Sequence, residues 1–140
     1  MAHIERGIYM KKNLLNCGIF VLIIAVLYIT AYFVFTMPIN SGTFSKDEYS
    51  KELNTPEFKT DKVYEKITDM ASAAKVGKKA IADRFENSES KLFSWKGCEV
   101  KYNDTDDIWC VRIFTFLGFG GGYSVLLNSN GSVLAIWGEK

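Results

Sequence analysis

The chain has 140 residues, 48% of them hydrophobic, 24% charged and 14% aromatic, which excludes a disordered or collagenous chain and leaves room for one ordinary domain plus extras. Its 17 basic and 16 acidic residues nearly cancel, so bulk electrostatics gives no reason to expect a nucleic-acid partner. Three cysteines are too few for a disulfide scaffold, and the single histidine, His3, removes most catalytic schemes built on imidazole.

In chain order, residues 1–13 carry Arg6, Lys11 and Lys12 and read as a cytoplasmic tail, with Met10 as a second possible start of translation. From Cys17 to Met37 there is no charge over 21 residues, and a helix of that length is about 31 Å long, the thickness of a bilayer's hydrocarbon core. A soluble core helix needs a polar face, whereas this run offers only Thr30 and Thr36, so residues 14–37 are expected to form a transmembrane helix. The basic residues before it and the balanced Lys46, Asp47 and Glu48 after it put the N-terminus in the cytoplasm and the rest outside. A cleaved signal peptide is the rival, but its apolar region usually spans only about 7–15 residues and ends in an A-x-A-like site. Cys17 precedes the apolar region rather than following it, so it reads as a membrane residue and not as a lipidation site.

Residues 38–54 are polar and are expected to be a tether, leaving residues 55–140 as the folded outer domain. Thr55-Pro56-Glu57 is a helix start signal, and Val63, Ile67, Met70 and Ala74 make an apolar stripe at helical spacing. Gly77 interrupts the stripe and Ile81 and Phe85 resume it, so two helical segments or one kinked helix fit equally; the polar run Asn87-Ser88-Glu89-Ser90 then ends it. Phe93 and Trp95 alternate, then Cys98, Val100 and Tyr102 alternate on the other parity, a slip that a bulge at Gly97 explains. Asn103 to Asp107 is a turn, Ile108 to Leu117 a strand broken by Arg112, and Tyr123 to Leu127 and Ser132 to Trp137 flank a hairpin turn at Asn128-Ser129-Asn130-Gly131. The expected order is helix, then four antiparallel strands.

If the first hairpin turns about Asp104, Cys98 faces Cys110, and an oxidising compartment would favour a disulfide between them; two separate buried thiols are the alternative. Two cysteines without histidines make an incomplete metal set. The glycines of Gly118-Phe119-Gly120-Gly121-Gly122 precede a strand rather than a helix, which argues against a phosphate loop and for a close strand connection. Glu99, Asp104, Asp106 and Asp107 read as a solvated acidic turn, and Trp95, Trp109 and Trp137 as core residues. No histidine lies beyond the span, so no catalytic residue, cofactor site or metal site is assigned.

A helix carrying Lys79-Ala80-Ile81-Ala82, then Trp109-x-Val111, Gly121-Gly122, Asn130-Gly131-x-Val133-Leu134 and a closing Trp137-Gly138-Glu139-Lys140 together resemble bacterial immunity proteins with a nuclear transport factor 2-like fold. The resemblance covers roughly residues 75 to 140. It implies an α+β, cystatin-like domain, with a helix packed on a curved antiparallel sheet of about four strands, that binds and neutralises a cognate protein toxin. The span and the cysteine pair depart from many members and imply protection outside the cytoplasm. Expected partner-binding residues are Phe119, an aromatic among four glycines, then Arg112 and Tyr123. A bitopic structural component of a secretion or envelope assembly is the second reading. An enzyme similar to ketosteroid isomerases or dehydratases is the third, disfavoured because the strands lack an obvious buried carboxylate.

Overall fold

The computed structural model describes residues 2–85, 96–115 and 121–139. The chain divides into two compact units, Met1–Phe35 and Thr36–Lys140. The first is the helix α1, Ala2–Thr36. Within it Asn16–Val34, 19 residues of mean hydropathy 2.6, is long and apolar enough to cross a membrane, and none of that stretch is buried. Its Thr30 hydroxyl donates to the Val26 carbonyl at 2.8 Å, which satisfies a polar group that hydrocarbon could not.

The second unit is α+β: a sheet in the order β1-β2-β3-β4-β5, formed by Pro38–Asn40, Lys96–Asn103, Ile108–Thr115, Tyr123–Asn128 and Val133–Gly138. β2 to β5 are antiparallel neighbours, as the alternation and turn residues require, whereas β1 joins β2 in parallel. Residues 38–54 are therefore no tether. Pro38 opens a strand, Ser41 N–H donates to the Val100 carbonyl at 3.1 Å, and a single 3-10 turn, Lys46–Tyr49, leads into the short helix α2, Ser50–Asn54. The segment from Phe44 to Phe58 forms a strap over one face of the sheet. Phe44, Tyr49, Leu53 and Phe58 cover Ile108, Cys110, Leu126, Ala135 and Trp137 there, apolar side chains that period-2 alternation places on a common face.

The other face carries the larger core, in which α3, Met70–Arg84, contributes Ala73, Ala74, Val76, Ala80 and Ile81 against Val100, Val111, Val125, Leu127 and Ile136. The expected helix start at Thr55 gives only a 3-10 turn, Pro56–Phe58. Of the expected apolar stripe before Met70, Ile67 is buried but Val63 is exposed and lies in extended chain bridged to Ser132, so no continuous buried face sustains a helix there. The working N-cap is Asp69, whose carboxylate accepts from Ser72 N–H at 2.7 Å while Ser72 Oγ accepts from Asp69 N–H at 3.0 Å. Gly77 neither ends nor splits α3: it sits buried in mid-helix, where a Cβ would lie 2.6 Å from Val111 Cβ. The glycine lets helix and sheet approach closely.

The Cys98–Cys110 pairing is corrected by the register. The β2–β3 loop is Asp104 to Asp107, closed by Asp107 at φ 54°, so the hairpin centre lies beyond Asp104. Cys98 then faces Ile113 and Cys110 faces Lys101, and both thiols are free. The shift also separates the faces, placing Cys98 in the helix-side core and Cys110 under the strap. The expected bulge at Gly97 is absent from the β2–β3 ladder, which runs unbroken from Lys96 to Asn103; the irregularity lies instead at Leu126/Leu127 between β4 and β5. The Phe93 and Trp95 alternation, the polar run at 87–90 and Phe119 lie outside the described residues.

Candidate interaction face

Beyond the strap, the same sheet face turns polar. Glu99 and Arg112 are direct cross-strand partners on β2 and β3, and Arg112 is in turn opposite Ser124 on β4. Arg112 Nε and Nη2 donate to Glu139 Oε2 at 2.7 and 2.6 Å, and its Nη1 lies 3.7 Å from Glu99 Oε2. Lys101 Nζ extends the row, 3.9 Å from the other Glu99 oxygen. Buried Ser124 donates its hydroxyl to Glu139 Oε1 at 2.6 Å. Glu139 reaches this position because its N–H donates to the Gly122 carbonyl at 2.7 Å, and Gly122 must be glycine, since a Cβ would lie 2.5 Å from the Ile113 carbonyl oxygen.

The result is a row of alternating charges with the Arg112 side chain 46% exposed at its centre, its guanidinium 5.8 Å from the Phe114 ring centroid. Hydrogen bonding to Glu139, outweighing the opposing burial, raises the Arg112 pKa further. Beside it a cleft of about 170 Å³ is lined by Tyr49, Glu99, Lys101, Cys110, Arg112 and Glu139. Burial first, and then the contact with Cys110, raises the Tyr49 phenol pKa; burial also raises the Cys110 thiol. At neutral pH both are protonated and neutral, so the charge of the cleft resides in the four ionic side chains.

Of the residues expected from sequence to bind a partner, Arg112 is central to this face. Tyr123 is not on it: it lies on the helix side, half-buried, with its ring tilted against Phe85 at a centroid distance of 4.5 Å. Phe119 falls outside the described residues. The acidic group does not act as one cluster. Glu99 belongs to the charged row, Asp106 pairs with Asn103 and lies 3.7 Å from Lys46, and Asp107 accepts from Tyr102 OH at 3.1 Å and from Ser129 Oγ. The Ser129 bond is the main cause of the lowered Asp107 pKa. Trp137 packs between Tyr49 and Phe58, and Trp109 stacks on Tyr102 while its Nε1–H donates to Ser129 Oγ at 3.1 Å; Trp95 is outside the described residues.

Sequence reasoning missed Glu139, Ser124, Lys101 and Tyr49. Lys101 had a visible signal, the same parity as Glu99 on a strand, whereas Glu139 joins only through the β4–β5 pairing. Among the described residues no group of three or more His, Cys, Asp or Glu side chains is placed to hold a metal ion. The row alternates in sign, with Arg112 46% exposed and Glu99, Lys101 and Glu139 half-buried beside it. Comparison with protein families, curated proteins and solved structures finds no match to this chain.

Proposed function

We propose that this is a membrane-anchored immunity protein, whose outer domain binds and neutralises a cognate protein toxin acting outside the cytoplasm. On this reading α1 is an uncleaved span of the cytoplasmic membrane with its N-terminus inside, and the second unit is a cystatin-like, nuclear transport factor 2-like domain. The basic residues ahead of the apolar run support that orientation, and the resemblance of residues 75–140 supports the family. The observation that carries a binding role is Arg112, an exposed guanidinium already fixed by Glu139 and Glu99. An arginine held in place before a partner arrives loses less side-chain entropy on binding, and arginine is over-represented among interface hot spots.

Co-expression with any toxin gene found beside this one, its product directed to the periplasm, tests the reading. Cells carrying this protein survive, and Arg112→Ala weakens toxin binding by about 2 kcal/mol, about thirtyfold. Arg112→Lys keeps a charge against Glu139 but loses the fork, so it separates lost recognition from lost folding. Equal killing with and without the wild-type protein overturns the immunity role.

A further inference from the structure

On the side of the molecule that carries α3, the extended segment around Val63 borders the β4–β5 hairpin. Tyr64 N–H donates to the Gly131 carbonyl at 2.9 Å and Val133 N–H to the Lys62 carbonyl at 3.3 Å, with Val63 bridged antiparallel to Ser132 between them. In that pattern the flanking residues face the hairpin, so the N–H and C=O of Val63 point away from it, off the edge of the sheet. Neither has a hydrogen-bond partner among the described residues. The Val63 side chain is 66% exposed. An unprotected edge of this kind is a template for an added strand.

The ground beside this edge is charged. An open groove is lined by Lys62, Val63, Tyr64, Glu65, Lys79 and Asp83, and a cavity of about 130 Å³ that shares Lys62, Tyr64 and Asp83 with it is also lined by Ala80, Arg84, Val133 and Ile136. Glu65 is engaged by Lys75 at 3.0 Å. Asp83 accepts from Tyr64 OH at 2.9 Å and lies only loosely, 3.8 Å, from Lys62. Lys79 sits over the Tyr64 ring at 5.9 Å, and Arg84 donates to the Glu57 carbonyl at 3.0 Å. Over the groove and the adjoining cavity together, Lys62, Lys79 and Arg84 outnumber Glu65 and Asp83, so the surplus is one positive charge.

We propose that this edge accepts an extended acidic segment of a protein partner as an added strand. One of its residues exchanges backbone hydrogen bonds with Val63 and its carboxylates lie near Lys62 and Lys79. Strand addition draws affinity from the main chain and specificity from the flanking side chains, which is the division of labour this edge offers. The surface is separate from the Arg112 face and does not depend on the immunity reading.

The test uses the isotope-labelled full chain in detergent micelles, titrated with Ac-Glu-Val-Glu-Val-Glu-amide, its lysine counterpart, and the acidic peptide N-methylated on its backbone. The acidic peptide shifts the amides around Val63 and along α3 and slows hydrogen exchange at Val63. Its affinity falls at least tenfold on N-methylation, in the Lys62→Glu/Lys79→Glu variant and in Val63→Pro, which removes a donor that has no partner among the described residues. Equal binding of the lysine peptide, undiminished binding after N-methylation, pairing of the edge with a second copy of the chain instead, or no shift at millimolar acidic peptide overturns the proposal.

Discussion

Tyr64 brings burial and charge together in one side chain. Its ring packs against the helix-side core and its hydroxyl donates to Asp83, and burial first, then that bond and the carboxylate's charge, push its pKa from 10.0 up to about 12. Because the folded pKa lies above the unfolded one, the neutral phenol favours folding in full below pH 10 and this contribution is lost as pH rises towards 12. Denaturant midpoints are therefore expected to fall across that window. The fall becomes shallower in Tyr64→Phe, and the difference between the two proteins' ultraviolet titrations places the Tyr64 phenolate late; a phenolate at the ordinary position refutes the Asp83 contact. Single residues were unevenly legible from sequence. Arg112 declared itself as a charge inside an apolar strand, whereas its partner Glu139 is 27 positions away and is brought near by strand pairing. Cys98 and Cys110 misled because the hairpin centre depends on Asp107 taking a positive φ, a conformation that sequence permits for Asp but does not announce.

At the scale of elements, the close contact of α3 with β3 turns on Gly77. A methyl group there meets Val111 Cβ and Cγ1 at 2.6 Å and Cγ2 at 2.8 Å, and a Cβ fixed by the strand backbone cannot rotate away. Alanine gains about 1 kcal/mol of helix propensity, but overpacking costs about 1–3 kcal/mol, so Gly77→Ala is expected to destabilise by about 1 kcal/mol in urea unfolding. A stabilised Gly77→Ala protein contradicts the contact. The sequence read Gly77 as a break because glycine's intrinsic helix cost is local information and its packing benefit is not. The same asymmetry explains the false start at Thr55. Threonine, proline and glutamate form a sound local start signal, but a helix persists only where a whole apolar face is covered, and before Asp69 Ile67 is buried while Val63 is exposed.

For the molecule as a whole, the α+β order and the four antiparallel strands follow from alternation and turn residues, and the long apolar helix follows from hydropathy. The parallel β1 does not, since three residues, Pro38–Asn40, give no periodicity and parallel pairing depends on the distant β2. That omission hid the strap's role and made residues 38–54 look dispensable. They are not, because Phe44, Tyr49 and Leu53 lie in this stretch and cover the face that holds Leu126, Ala135 and Trp137. Burial of a large apolar side chain contributes about 1.5–3 kcal/mol, and a domain's whole stability is commonly about 5–15 kcal/mol, so removing three such side chains together consumes much of the margin. A chain beginning at Met37 is therefore expected to fold without α1, with cooperative urea unfolding and native-like near-ultraviolet circular dichroism from Trp137. A chain beginning at Thr55, where the sequence alone sets the domain boundary, is expected to lose that signal and bind a hydrophobic dye. Cooperative unfolding of the shorter chain at the same midpoint contradicts the strap as part of the core.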